Sequence, residues 1–151
     1  MAALGVDGHG YVLDDLTIQA SPHGWASAAV VAYHRFRADR VVGETNNGGE
    51  MVGYTIATVD PTVAFKAVWA SRGKLTRAEP IAALYEQKRV HHVGALPDLE
   101  DQMCSWLPGM KSPDRMDALV WALTELFLEP EDAREGLSEL PDDQRVEISP
   151  W

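Results

Sequence analysis

A chain of 151 residues with 46% hydrophobic content is long enough to bury a core and predicts one globular domain. Its 23 acidic residues against 13 basic ones give a net charge of -10, which argues against a globally basic nucleic-acid binder or a polybasic membrane anchor. A DNA enzyme is not excluded, because metal ions can offset acidic residues and basic residues can be clustered locally.

The single cysteine, Cys104, allows no internal disulfide, and no group of Cys and His has the spacing of a zinc site. These features fit a reducing, intracellular setting. The amino-terminal sequence lacks the basic and apolar regions of a secretion signal, and no run approaches the ~18 apolar residues of a transmembrane helix. The sequence therefore predicts a protein that is neither secreted nor inserted in a membrane.

The first part of the chain predicts a hairpin, a helix, a strand and a second helix. Apolar segments flank a turn-forming Asp-Gly-His-Gly sequence and predict a β-hairpin over residues 2–18. Ser21 followed by proline marks the start of a helix that is expected to end near Ala38. A strand is expected at residues 40–44, and the next helix from about residue 50 to an Asp-Pro pair.

The middle of the chain predicts a strand, a helix and a short edge strand. Alternating apolar residues over 62–70 predict the strand, and we expect most of the five tryptophans, Trp69 among them, to be core residues. Thr76 and Glu79 have the spacing of a capping box, which predicts a helix start at this point. The His-His-Val-Gly sequence at residues 91–94 predicts a short edge strand.

The last part of the chain predicts two helices, over residues 96–107 and 112–128. Residues 129–151 lose apolar periodicity and gain acidic residues and proline, which predicts an acidic tail or a partner-binding arm. The order of elements as a whole predicts an α/β fold with helices on both faces of a sheet. In such sheets, ligands bind beyond the carboxyl ends of parallel strands.

Glu44 lies in that kind of position, because two Val residues precede it at close spacing and an Asn-Asn-Gly-Gly turn follows. One interpretation is structural: the carboxylate caps amides of the turn or reaches solvent. The other is a metal ligand, since magnesium is held in proteins by one or two carboxylates together with water. The second interpretation requires another acidic residue nearby.

The final helix offers two acidic residues. Asp114 and Asp117 are three residues apart and project from the same side of the first turns. Ser112 is the expected N-cap with proline after it. Asp114 could serve only to compensate the helix dipole, whereas Asp117 is a turn deeper, beside the apolar face. That face is expected to comprise Met116, Leu119, Val120 and Leu123.

Other polar residues have two interpretations each. The basic residues Arg72, Lys74 and Arg77 cluster after the strand predicted over residues 62–70. They could contact a DNA backbone there or lie in a solvated loop. His91 and His92 follow a predicted helix end, and we expect them to satisfy its carbonyls or face solvent rather than bind metal.

Three segments, VVGETNNGG, ASRGKLTRAEPIAALYEQKRVHHVG and SPDRMDALVWALTEL, together resemble the carboxyl-terminal nuclease domain of the large terminase subunit of tailed bacteriophages and prophages. The resemblance covers residues 4–128. It implies a ribonuclease H-like mixed sheet flanked by helices, in which acidic residues bind two magnesium or manganese ions and cleave concatemeric viral DNA. By motif, Glu44 and Asp117 match metal-binding acids of the fourth strand and final helix, and Asp114 matches a neighbouring position that assists the second ion.

The same resemblance implies partners and a place of action. Double-stranded DNA is the expected partner, and the portal and the small terminase subunit are further candidates. The expected location is the cytoplasm of a bacterial host, with the gene carried by a phage or prophage. Residues 1–128 would form a partial nuclease domain, and residues 129–151 an acidic tail.

The match is incomplete at the amino terminus. In this family a first catalytic Asp lies on a strand ahead of the hairpin, and this chain is expected to begin after it, so that the fold is truncated. Asp7, Asp14 and Asp15 do not match that position, and Asp15 could replace it only in a rearranged sheet. The phosphate loop of the packaging ATPase is also missing from the sequence. We therefore expect a gap in the sheet or a new strand pairing.

Three functions stay open at this point. The leading one is a metal-dependent DNA endonuclease domain of a packaging terminase. The second is a non-catalytic remnant that keeps a surface for DNA or portal docking. A third and weaker one is an unrelated α/β enzyme that acts on a small molecule.

Overall fold

A computed structural model describes residues 1–46, 50–70, 73–107, 109–110 and 113–128. The predicted tail, residues 129–151, lies outside these described residues. Arg72 and Ser112 also lie outside them. The strands are β1 (Ala2–Leu4), β2 (Gly10–Val12), β3 (Val41–Glu44), β4 (Phe65–Val68) and β5 (Val90–His92). The helices are α1 (Pro22–Arg35), α2 (Glu50–Val59), α3 (Lys74–Glu86), α4 (Pro97–Ser105) and α5 (Asp114–Phe127).

The strands form two small sheets. In the first, β1 is antiparallel to β2, and β2 is parallel to β5. In the second, β3 and β4 are parallel, and Glu44 is opposite Val68. The predicted hairpin, the strand that ends at Glu44 and the short edge strand at the histidines are confirmed as elements. The second strand of the hairpin is shorter than predicted, because it ends at Val12 and does not continue to residue 18. The arrangement is the expected α/β fold with mixed strand directions.

Helix α5 connects the two sheets. It packs against β1 in one sheet and against β3 in the other. Within the described residues, β1 pairs only with β2 and β3 only with β4, so no strand joins the sheets. No new strand pairing joins the two sheets in this part of the chain, and the truncation expected from the sequence stays a prediction.

Two apolar clusters form the core. The larger surrounds α5 and comprises Val12, Ile81, Leu84, Val90, Leu99, Leu119, Val120 and Leu123. The smaller lies between α1, α2 and the strand segment after them, and comprises Ala26, Val30, Ile56 and Val63. The apolar face predicted for α5 is confirmed, because all four of its residues are buried. None of the helices in the described part of the chain is long and apolar enough to cross a membrane.

Two helix starts differ from the predictions. The first turn of α3 begins at Lys74 with Gly73 as N-cap, so Thr76 is already helical and the predicted capping box is wrong. The N-cap of α5 is Pro113, one residue after the predicted Ser112. In both cases the helix starts without a side-chain cap, and contacts with other elements stabilise the first turn in its place.

Trp69 is not a core residue, contrary to the prediction. Strand β4 ends at Val68, so the alternation of inward and outward side chains no longer applies, and Trp69 is 64% exposed. The other tryptophans of the described residues, Trp25, Trp106 and Trp121, are only partly buried.

Gly43 fixes the distance between β3 and its neighbours. A Cβ at this position would lie 2.8 Å from ring carbons of Phe65 and 3.2 Å from a methyl carbon of Val52. The absence of a side chain therefore lets Phe65 pack beside β3, immediately before Glu44.

We predict that Gly43→Ala lowers the free energy of unfolding by about 1–3 kcal/mol, because the new methyl group forces Phe65 out of its position. Urea unfolding followed by tryptophan fluorescence measures the change. The control is Gly73→Ser, since no atom lies within 4 Å of a Cβ at Gly73 and serine is favoured at an N-cap. Equal stability of the two variants would contradict this account of the packing.

Candidate metal-binding site

Glu44 is the last residue of β3, and the chain beyond it is held in line with β4. The backbone N–H of Thr45 donates to the carbonyl of Val68 at 3.0 Å. The side-chain amide of Asn46 donates to the Ala70 carbonyl at 3.0 Å and accepts from the Ala70 N–H at 2.7 Å. The hydrogen bonds of Asn46 thus extend the pairing of β3 with β4 beyond the last residue of each strand. They hold the chain in place immediately after Glu44.

Helix α5 brings Asp117 and Trp121 to the end of β3. These two residues are four apart, so their side chains lie on one face of the helix. The indole Nε1–H of Trp121 donates to Oε2 of Glu44 at 2.9 Å. Because the acceptor is a carboxylate, this bond is of the stronger, charge-assisted kind. It holds the Glu44 side chain against α5, one turn from Asp117.

Arg77 of α3 lies between the two carboxylates. Its Nη1 is 3.6 Å from Glu44 Oε2, and its Nη2 is 3.9 Å from Asp117 Oδ1. The guanidinium carbon is 4.5 Å from the centroid of the Trp121 ring, a cation–π distance. Only 11% of the Arg77 side chain is exposed. The structure therefore brings Glu44 and Asp117 to the same guanidinium group.

The contacts of Arg77 are incomplete. Both carboxylate distances exceed hydrogen-bond length, and Nε and Nη1 are buried without a hydrogen-bond partner among the described residues. Buried donors of this kind are uncommon in proteins, since each costs free energy of desolvation that no bond returns. Arg77 is thus attracted to the acidic pair by charge and is not locked to it by hydrogen bonds.

Lys74 completes the charge balance. It is one helical turn before Arg77, and its Nζ forms an ion pair with Oδ2 of Asp117. Two carboxylates and two cationic side chains thus meet where β3, α3 and α5 come together. Of the two interpretations of this basic cluster, the solvated loop is wrong for Lys74 and Arg77, which are helical and ion-paired. Their binding to DNA stays a prediction, and Arg72 is outside the described residues.

Asp114 is the first residue of α5 and is exposed. A carboxylate there is favoured by the partial positive charge of the helix amino terminus, whatever its function. It is one turn before Asp117 on the same side of the helix. Its assistance to a second metal ion stays a prediction.

Asp15 has a different partner from the acidic pair. Its Oδ2 accepts from Nε of Arg115 at 2.7 Å, and Arg115 also donates to Asp98 at 3.0 Å. Burial raises the pKa of Asp15, but hydrogen bonds from Thr17 and Arg115 outweigh it and hold the pKa below its ordinary value. Arg115 is two residues from Asp117, and residues at that spacing do not share a helix face. The contacts of Asp15 therefore hold it apart from the acidic pair.

The two histidines of β5 have side-chain partners, contrary to the prediction that they satisfy helix carbonyls or face solvent. Nε2 of His91 is 2.8 Å from Nδ1 of His9. His92 contacts the Tyr85 hydroxyl at 2.8 Å and Glu100 at 2.9 Å. Both histidines are in a strand and not at a helix end, so their side chains cross to neighbouring elements.

The donor set of the acidic pair fits a hard divalent cation. Glu44 and Asp117 offer carboxylate oxygens to one shared position of positive charge, and magnesium and manganese prefer oxygen ligands. Among the described residues, no group of three or more His, Cys, Asp and Glu is close enough to hold a metal ion. Magnesium is commonly held in proteins by one or two carboxylates together with water, and the chemistry of these two side chains fits that pattern.

Two contributions to the site were not predicted from the sequence. Most of the tryptophans were expected to be core residues, with no role given to Trp121 in particular, and Arg77 was expected to face DNA or solvent. Sequence spacing does indicate which residues share a helix face: Trp121 is four residues after Asp117, and Arg77 is three residues after Lys74. The spacing could not show that these faces of α3 and α5 meet at Glu44.

The family model of the terminase RNase H-like domain matches residues 4–126 of the chain. The matched region runs from β1 into the last turn of α5, and it includes Glu44, Arg77 and Asp117. No curated protein and no solved structure matches the chain. The family resemblance that the three sequence segments indicated is confirmed.

We predict that Trp121→Phe lowers the free energy of unfolding by about 1 kcal/mol more than Trp106→Phe does. The first change removes the hydrogen bond to Glu44, whereas Nε1 of Trp106 is buried with no hydrogen-bond partner among the described residues. Both changes remove the same atoms, so the difference in thermal or urea unfolding measures the loss of the bond to Glu44 together with the weaker ring contact with Arg77. Similar losses in the two variants would mean that Trp121 does not hold Glu44.

Proposed function

Because this chain belongs to the family of terminase RNase H-like domains, we propose that it is the metal-dependent endonuclease domain of a phage DNA-packaging terminase. Its substrate would be double-stranded concatemeric viral DNA, which it would cut by phosphodiester hydrolysis in the cytoplasm of the bacterial host. The portal and the small terminase subunit are proposed as further partners. The observation that carries the proposal is the meeting of Glu44 and Asp117 at one guanidinium group beyond the end of β3.

Each residue of the site has a proposed role. Glu44 and Asp117 would hold Mg²⁺ or Mn²⁺ through their carboxylate oxygens, with Asp114 assisting a second ion. Bound ions in nucleases of this kind activate a water molecule and stabilise the leaving oxygen of an in-line displacement. Trp121 would keep Glu44 oriented toward the ion through the 2.9 Å hydrogen bond. A carboxylate fixed in this way loses little freedom when it binds.

The basic side chains would bind the DNA backbone. Lys74 and Arg77 lie at the acidic pair, and Arg72 precedes them in the sequence. Arginine and lysine donate charge-assisted hydrogen bonds to phosphate, and such contacts position the duplex without reading its sequence. Their local clustering is how a chain of net charge -10 could still bind DNA.

A second candidate function has an observation in its favour. The described residues bring only two carboxylates together, and the gap between the sheets is where the family resemblance implies a strand with a further catalytic Asp. A chain with this site alone could be a non-catalytic module that docks to DNA or to the portal. The third function considered, an unrelated small-molecule enzyme, has no support from the family match.

The test is a plasmid-nicking assay with Mn²⁺. We expect the 151-residue chain to nick slowly, and a version extended at its amino terminus by a strand that ends in Asp to nick on the order of a hundredfold faster. The reason is that an additional carboxylate between the sheets would align water and leaving oxygen on one phosphate. Asp117→Asn should abolish nicking in both versions.

The matched control is Asp101→Asn, which makes the same change in an exposed residue of α4 and should leave nicking unchanged. Nicking that survives Asp117→Asn would refute the proposed site. An extended chain with no Mn²⁺-dependent nicking would favour the docking module. Equal rates in the short and extended chains would mean that another acidic residue completes the site.

A further inference from the structure

The first turn of α3 presents two cationic side chains to the proposed metal ligands. Lys74 and Arg77 are three residues apart and lie on one face of the helix. Lys74 forms its ion pair with Asp117 Oδ2, and Arg77 approaches Asp117 Oδ1 and Glu44 Oε2. Both oxygens of Asp117 therefore face a positive side chain. A metal ion bound by Asp117 would therefore approach an oxygen that already faces one of these cations, and the two like charges would repel each other.

The two cations are held to different degrees. Arg77 is 11% exposed and stacks on Trp121, so that its removal would uncover a buried surface. Lys74 is 47% exposed, and its flexible stem ends in a compact ammonium group that water solvates well. Ion pairs with this degree of exposure contribute little net stability. Lys74 can therefore leave Asp117 at small cost, whereas Arg77 cannot.

We propose that Lys74 is an internal counter-ion that competes with the divalent metal ion for Asp117. In the metal-free chain its ammonium group and the Arg77 guanidinium together compensate the charge of Asp117, which would otherwise repel Glu44 more strongly. When the ion binds, repulsion between it and the ammonium group drives Lys74 away from the carboxylate. The released side chain is then available to a DNA phosphate beside the ion. This inference rests on the proposed function, because it requires Asp117 to be a metal ligand.

Calorimetric titration with Mn²⁺ at low salt tests the competition. Lys74→Gln should bind Mn²⁺ about fivefold more tightly than the unchanged chain, which is the factor expected from removing an exposed ion pair. Lys74→Arg keeps the charge and should bind with nearly unchanged affinity. Asp117→Asn should lose Mn²⁺ binding, because it removes the carboxylate for which the metal ion and the Lys74 ammonium group compete.

Arg40→Gln is the charge-matched control. Arg40 pairs with Glu125, which also pairs with Lys66, and this ion-pair group does not include the acidic pair. The control removes one positive charge from the chain as Lys74→Gln does, and its Mn²⁺ affinity should not change. A gain in Arg40→Gln equal to that in Lys74→Gln would overturn the proposal, since the effect would then come from net charge alone.

Thermal unfolding provides a second readout that does not depend on activity. Without metal, Lys74→Gln should melt below the unchanged chain because it lacks the ion pair with Asp117. In saturating Mn²⁺ the difference should disappear, since Lys74 of the unchanged chain no longer contacts Asp117 and both proteins then lack the ion pair. A purely structural role of Lys74 would leave the same difference with and without metal, and that result would overturn the proposal.

The failure of the inference and the failure of the proposed function are separate outcomes. If the chain binds Mn²⁺ through Asp117 and Lys74→Gln binds it no more tightly, the proposed function stands and the counter-ion role is overturned. If neither the chain nor any variant binds Mn²⁺, both are overturned. If the unchanged chain binds Mn²⁺ weakly or not detectably and Lys74→Gln binds it more tightly, the counter-ion role is supported.

Discussion

The structure depends on how two carboxylates are kept close together at the end of a short strand. Glu44 and Asp117 are 33% and 20% exposed, so solvent only partly screens their mutual repulsion. The guanidinium of Arg77 between them, with the Trp121 hydrogen bond to Glu44, offsets that repulsion. These contacts join α3 and α5 to the end of β3, in addition to the apolar packing between the two helices. Two donors of Arg77 are buried without a hydrogen-bond partner among the described residues, and each such donor costs free energy of desolvation.

Helix α5 has two roles, and they use different faces. One face is the centre of the larger apolar cluster, where Leu123 is completely buried. The other carries Asp117 and Trp121 to the end of β3. Because the same helix also packs on β1, it spans the space between the two sheets. The site therefore lies on the side of this helix that meets β3.

Most of the fold could be predicted from the sequence, because local signals and packing agree. The Asp-Gly-His-Gly turn gave the hairpin, and the buried face of α5 followed from helical periodicity in Met116, Leu119, Val120 and Leu123. Helix starts were less predictable: Thr76 and Glu79 have capping-box spacing, yet α3 begins at Lys74. Lys74 at this helix start pairs with Asp117, and a contact 43 residues away leaves no local signal.

The acidic residues of the candidate site could be predicted from the sequence, whereas the positions of its basic side chains could not. Glu44 and Asp117 could be identified from their positions in recognisable motifs, and the structure brings both to Arg77. That Arg77 would turn inward was not predictable, because a basic residue near a helix start has the same local pattern whether it faces solvent or a carboxylate. Trp121 illustrates the same limit, since periodicity identifies a partly apolar face and cannot show where an indole N–H finds its acceptor.

Anomalous diffraction from crystals soaked in Mn²⁺ tests the central claim most directly. The account predicts a manganese peak within coordination distance of carboxylate oxygens from both Glu44 and Asp117, beside the Arg77 guanidinium. A peak at other acidic residues, or no peak at this position while Arg77 still lies between the two carboxylates, would contradict it.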